Sequence, residues 1–284
     1  MLLVVLVLPA AAHPDGQAQS QLDYASFLMK EQDYFRAISA YKQIAYFSND
    51  AETKNFCLLQ IAKAYHKSNR FKASIRFVSR LLNQPLLPDG CFNRAQMYLG
   101  LNYYGLRVYP MARTHFQKAA ADDTSGFASY YLALLELEKG DWKGASKSYQ
   151  QVSLQFGQTQ IGLLSGQLSE EVLRGEAIRS KNPYLAAGLS TILPGSGQFY
   201  CHHYYDAIQA FLYVSAFTFA SYAAYTYDKD HGRNYLRTGI AVSIAGLFHV
   251  GNIIGAQRTA SYYNLKQRQT FLDQVRKKVF SIEY

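Results

Sequence analysis

Cys201, His202 and His203 stand side by side, and Cys and His together are the usual ligands of zinc. Adjacent residues on one helix or strand point apart, and no second ligand pair stands at a metal-site spacing. The cluster therefore reads as residues at a membrane edge rather than as a metal centre. His249 lies in an uncharged stretch, where an ionisable ring could handle protons, although a structural ring is the preferred reading. Such a structural ring would be hydrogen-bonded to Asn252 or to a neighbouring helix. Cys57 and Cys91 fall in neighbouring segments of similar pattern; an exported chain could pair them, which would leave one thiol over. Gly195-Ser196-Gly197 has the composition of a phosphate nest, but no Lys-Ser/Thr follows and the surroundings are apolar, so a turn is the better reading. No H-E-x-x-H, G-x-S-x-G, P-loop or arranged carboxylate pair is present. These residues predict no metal, no cofactor, no small-molecule substrate and no enzymatic activity.

The elements that carry these residues divide into two kinds. The chain has 284 residues, 49% hydrophobic and 15% aromatic, with 29 Lys+Arg, 20 Asp+Glu and three Cys. Abundant aromatics and sparse charge exclude extended disorder, and three Cys exclude a disulfide-stapled miniprotein. Only six charged side chains occur from Asn182 to Gln257, which marks a boundary near Lys181. The net charge of +9 is spread along the chain and densest beside an apolar stretch, so nucleic acid is not the expected partner.

At the start, Met1 to Leu8 is apolar, and Ala10 and Ala12 fit the small residues of an export-signal cleavage site. The basic n-region is missing, which points to a signal peptide over 1–12 with a truncated start. No Cys follows for a lipid anchor. A mature chain would begin near His13.

Between 20 and 156 one pattern recurs four times. A small residue is followed three on by Leu or an aromatic, then a polar turn, an aromatic, and a second small residue. The first copy has Ala25, Leu28, Tyr34 and Ala37; the second Ala62, Tyr65, Phe71 and Ser74. The third has Gly100, Tyr103, Tyr109 and Ala112; the fourth Ala133, Trp142 and Ala145, with Glu136 breaking it. The second small residue falls at 37, 74, 112 and 145. This resembles the tetratricopeptide repeat family, whose unit is about 34 residues. The resemblance implies stacked helical hairpins, with a groove that takes a peptide or a partner helix. Tyr24, Tyr65 and Tyr103, on the first helices, are candidates for that groove. Ile161, Leu164, Leu168 and Val172 make one apolar helix face, which suits a capping helix within 157–181.

The membrane half is expected over 182–257. Ala207 to Tyr227 and Thr238 to Gln257 are uncharged and long enough to cross about 30 Å of hydrocarbon. Tyr222, Tyr225 and Tyr227 fit an interfacial belt. The loop from Asp228 to Arg237 makes the two an antiparallel hairpin. Gly251 and Gly255, with Ala216 and Ala220, have the spacing of close helix contacts in lipid. Packing within the hairpin is the preferred role and dimerisation the other. Tyr184 to Leu193 is too short to span, and reads as interfacial or re-entrant. From Arg258 to 284 the tail has a basic, partly apolar pattern that suits a helix on anionic lipid or in solvent.

Pro194, Gly195, Gly197, Gln198 and Tyr200, followed by Asp206, resemble a bacterial family of two-span membrane domains marked P-G-x-G-Q-x-Y. The match runs from about 182 to 265 and includes Tyr263-Asn264. The family's biochemical role is largely unassigned, so the resemblance implies architecture and not activity. His202 stands where that family usually has Gly, which opens the way to a different local turn.

A cleaved signal would export the repeats, and the first span would then place Lys229, Arg233 and Arg237 inside, as the positive-inside tendency asks. The second span would carry the basic tail out, against it; the opposite orientation ignores the signal. The expectation is an all-α protein, a tetratricopeptide-like solenoid followed by a transmembrane hairpin, in a bacterial inner membrane with periplasmic repeats. It would act as a non-catalytic adaptor whose groove binds a protein and whose hairpin binds the bilayer. The alternative is a component of a transport or membrane-protein insertion machine acting through the hairpin and His249.

Overall fold

The computed structural model describes residues 14–84, 87–121, 123–282 and 284. The proposed signal peptide lies outside them. The described residues form thirteen α-helices and one 3-10 helix, with no strand among them. They divide into two compact units, residues 14–172 with Tyr284, and Leu173–Glu283. The drop in charge density near Lys181 thus falls inside the second unit.

The first unit contains α1 (Pro14–Lys30), α2 (Tyr34–Phe47), α3 (Ala51–Lys67), α4 (Phe71–Leu82), α5 (Asp89–Gly105), α6 (Tyr109–Ala120), α7 (Phe127–Lys139), α8 (Trp142–Phe156) and α9 (Gln160–Leu173). From α1 to α8 each helix packs on the next, and α3 also packs on α5. The turn inside each of the four helical pairs is the same. Gln32, Asn69, Arg107 and Gly140 all have left-handed backbone, with φ of 60°, 58°, 60° and 82°. The next N–H donates to the carbonyl five residues back: Asp33 to Leu28, Arg70 to Tyr65, Val108 to Tyr103 and Asp141 to Glu136. This is the 6→1 bond of a Schellman stop. The repeat is therefore one of backbone as well as side chain, and it persists where the side-chain pattern breaks. Glu136 keeps the turn, and its carboxylate takes Arg113 Nη2 at 2.7 Å. Asp33, Asp50 and Asp141 restart α2, α3 and α8 by accepting backbone N–H bonds.

The small residues sit where the paired helices meet. Ala25, Ala62, Ala133, Ala37, Ala112 and Ala145 have no exposed surface, and Ser74 is buried with its hydroxyl on the Ala62 carbonyl at 2.8 Å. A Cβ on Gly100 would run into the Phe116 ring. Tyr41, Phe116, Tyr130 and Tyr149 fill the spaces between helices. On α9, Ile161, Leu168 and Val172 are buried and Leu164 is half-buried. Cys57, Cys91 and Cys201 are all free thiols, so Cys57 and Cys91 are not paired.

The second unit contains a 3-10 turn (Arg174–Ala177), α10 (Pro183–Ile192), α11 (Ser196–Tyr200), α12 (Tyr204–Asp230) and α13 (Leu236–Val279). Helices α12 and α13 are both long and apolar enough to cross a membrane. They form an antiparallel hairpin, with contacts from Asp228 and Thr238 at the turn to Phe217 stacked on Phe248 at 4.2 Å. Asp228 is buried and builds the turn, accepting from Thr238 N at 3.2 Å and Oγ1 at 2.9 Å. The basic tail is not a separate helix. With no Gly or Pro after Gly255, α13 continues through it for 44 residues, about 66 Å at 1.5 Å per residue. That is roughly twice the hydrocarbon thickness of a bilayer.

Two expected packing roles are not met. Gly251 faces open space, Gly255 meets only the Gln198 side chain, and Ala216 and Ala220 are exposed. Within the hairpin, Val214 and Ser221 are buried on α12 and Phe217 stacks on Phe248 of α13.

Candidate functional site

The P-G-x-G-Q-x-Y segment is the centre of the second unit. Asn182 caps α10 by accepting from Tyr184 N and Leu185 N, and Pro183 follows at the first helical position. The helix ends at Ile192, and Pro194 leads into Gly195, whose φ is +85°. A Cβ there would strike the Ala207 carbonyl as well as sit in a conformation that disfavours side chains. Gly197 lies so close to α10 that a Cβ would strike the Ala186 carbonyl. Both glycines therefore serve close approach.

A closed polar network joins this turn to α10 and α13. Gly195 N donates to Asn252 Oδ1 at 3.1 Å, and Gly197 N to Ser190 Oγ at 3.0 Å. Ser190 Oγ donates to Gln198 Oε1 at 3.0 Å. Gln198 Nε2 reaches both the Asn252 carbonyl and its Oδ1 at 3.2 Å. Asn252 Nδ2 returns to the Ser190 carbonyl at 3.1 Å. The Ser190, Gln198 and Asn252 side chains are all buried. Such a network specifies one packing, because any broken member leaves a polar group buried without a partner. It also answers the phosphate reading, since the amides of Gly195 and Gly197 are already committed.

A second clamp holds the start of α10. Lys181 N donates to Asn264 Oδ1 at 2.7 Å, and Asn264 Nδ2 donates to the Lys181 carbonyl at 2.8 Å. Lys181 Nζ lies over the rings of Tyr200 and Tyr263, at 4.4 and 5.7 Å from their centroids. Tyr200 Oη accepts from Asn182 N at 3.3 Å.

The Cys201-His202-His203 cluster diverges. Cys201 is buried, His202 Nδ1 meets Tyr204 Oη at 3.1 Å, and His203 Nδ1 meets Asp206 Oδ2 at 3.2 Å. No group of three His, Cys, Asp or Glu side chains that could hold a metal ion occurs among the described residues. His202 has φ +63°, so the turn keeps a backbone that favours glycine although the residue is His. The expected partnership of His249 with Asn252 is absent. Asn252 is spent on the turn, and His249 Nδ1 is buried with no hydrogen-bond partner among the described residues. His249 lines a groove with Ile192, Pro194, Ser221 and Gly246.

In the first unit, an open groove of about 510 Å³ lies along α3, α5 and the start of α7. Phe56, Lys63, Arg94, Tyr98, Asp123 and Phe127 are among its lining residues. The ring of Tyr284, part of the same unit, stands edge-on to Tyr98 and Phe127 at 5.6 and 5.2 Å. Burial pushes the Tyr284 hydroxyl up to about 12. The three expected groove tyrosines lie elsewhere. Tyr24 is exposed on α1, Tyr65 stacks on Phe77, and Tyr103 stacks on His115. Tyr65 lines a separate groove of about 590 Å³, with Asp33, Ile38, Lys42 and Arg70. The sequence did carry the signal: Phe56, Leu59, Gln60 and Lys63 make a second helical face on α3. Ser190 and Lys181 carried no such signal, since nothing local separates them from other Ser and Lys residues.

Comparisons with family models, with curated proteins and with solved structures find no match for this chain.

Proposed function

We propose that the chain is a membrane-held adaptor without catalytic activity, whose helical pairs stack as a tetratricopeptide-like solenoid and bind a protein in the groove along α3, α5 and α7. The observation that carries this reading is the groove itself, an aromatic trough lined by Lys63, Arg94 and Asp123 that holds the chain's own Tyr284 ring. The aromatic anchors Phe56, Tyr98 and Phe127 suit an extended or helical segment with apolar side chains. The membrane part of the reading rests on exposure. Only 17% and 11% of the most apolar stretches of α12 and α13 are buried, whereas the core helix of a soluble domain would be mostly buried. Phe211, Leu212, Phe219, Leu247 and Ile254 stand open. The compartment we propose is the bacterial inner membrane, with the repeats in the periplasm.

The test is site-specific photocrosslinking in cells. A photoreactive residue at Arg94 should give a discrete protein adduct that Tyr98→Ala abolishes; one at Leu154, exposed on α8, should not. Equal adducts from both positions, or none from Arg94, would refute the groove. Compartment-sensitive reporters after Lys181 and after Asp230 test the orientation, which requires an exported first site and a cytoplasmic second.

A second reading, a transport or insertion component working through the hairpin, is favoured by the unpartnered Nδ1 of His249. Under that reading His249→Ala abolishes function while the Arg94 adduct persists.

A further inference from the structure

Helices α12 and α13 part on one side to leave a groove of about 410 Å³. Tyr213, Val214, Leu247 and Phe248 form its apolar walls, and Asp206 and Gln209 make its lining polar toward the start of α12. The Asp206 side chain is 53% exposed, and its Oδ2 lies 3.2 Å from His203 Nδ1. Gly251 also lines the groove, and a Cβ added there would meet nothing. The space is open because residue 251 has no side chain.

An apolar trough beside a carboxylate in the first turn of an apolar helix has the form of an amphiphile site. The carboxylate selects a head that carries positive charge and N–H donors. Among phospholipid heads, a primary ammonium offers both, a quaternary ammonium offers charge without donors, and a glycerol phosphate offers hydroxyl donors under a net negative charge. We propose that this groove holds one acyl chain of a phospholipid with a primary-ammonium head, the ammonium donating to Asp206. The proposal rests on the reading that α12 and α13 cross a membrane, and it adds the lipid class that the hairpin selects.

The full chain, in detergent, would be examined by native mass spectrometry with phosphatidylethanolamine, phosphatidylcholine and phosphatidylglycerol of matched chains. Phosphatidylethanolamine should be retained about fivefold better than the other two, which corresponds to about 1 kcal/mol. Gly251→Leu, which fills the groove, should remove that retention, and Asp206→Asn should level the three lipids. Gly246→Leu fills space on the other side of the hairpin, since a Cβ there also meets nothing, and should change neither. Equal retention of the three lipids by the wild type, or unchanged retention in Gly251→Leu, overturns the proposal. Carbonate extraction separates the two failures. A chain released from membranes by carbonate sinks the membrane reading and this proposal together. A chain that resists carbonate but shows no lipid preference sinks the groove alone.

Discussion

Replacing Gly197 by Ala tests the turn most sharply, because it adds one methyl group where the structure has no room. The new Cβ would strike the Ala186 carbonyl, and would lie 2.7 Å from Ala256 Cβ and 2.7 Å from Ser190 Oγ. Two of these neighbours belong to α10 and one to α13, so none is the free end of a flexible side chain. Overpacking of this kind costs about 1–3 kcal/mol. Moving α10 away releases the Gly197 N–Ser190 Oγ bond and strains the Ser190–Gln198 bond. Each buried polar group left unpaired costs about 1–3 kcal/mol more. Ala gains about 1 kcal/mol over Gly in a helix, which offsets part of this. The net expectation is a loss of about 3 kcal/mol, or on the order of 10 °C in melting temperature for a unit of this size. Gly251→Ala is the matched control. It has the same propensity gain, and its Cβ meets nothing. Melts followed by circular dichroism and by aggregation in detergent should separate the two variants widely. Melting temperatures for Gly197→Ala and Gly251→Ala within about 2 °C of each other would refute the close-approach argument, since about 1 kcal/mol already moves the midpoint by more.

His202→Gly should raise stability, by about 1 kcal/mol if relief of the left-handed strain outweighs the lost ring contact with Tyr204; a fall in melting temperature would refute this. The His66 and His115 rings are pushed down from their ordinary value chiefly by burial, so the folded chain favours them neutral. Their contribution is full above the unfolded value of about 6.5 and is lost as pH falls below it, so the melting temperature should drop between about pH 7 and 5; His66→Gln should flatten that slope. Cys57 is buried, with its thiol pushed up to about 11, and Cys201 is buried, whereas Cys91 is part-exposed. Alkylation of the native chain at neutral pH should therefore label Cys91 first, and mass spectrometry after denaturation should show all three labelled without reduction.

The repeat register was legible because it is local. The small residue falls at 37, 74, 112 and 145, and the left-handed residues at 32, 69, 107 and 140 follow the same intervals. Glu136 shows the limit of side-chain reading, since its backbone keeps the repeat while its carboxylate binds Arg113 of the preceding pair. The two apolar helices were legible from length and charge alone. The continuation of α13 through the basic tail was obscured by the change in composition at Gln257, although no breaker interrupts it.

What the sequence determined by itself was periodic or consecutive: four helical pairs, two long apolar helices, and a Pro-Gly turn between apolar segments. Hydrophobic periodicity and backbone chemistry act within a few residues, so they can be read along the chain. What only the tertiary structure decided was which side chains meet. Asn252 stands one turn from His249, yet it reaches back 57 residues to Gly195 and leaves His249 without that partner. Gly251 has the spacing of a packing seam, yet it opens onto a groove while Phe217 and Phe248 stack between the helices. Tyr65 stacks on Phe77 beside one groove and Tyr103 stacks on His115, while the trough at Tyr98 falls to another face of α3 and α5. Hydrogen bonds and van der Waals contacts act over a few ångströms in space, so their partners are fixed only when the chain has folded.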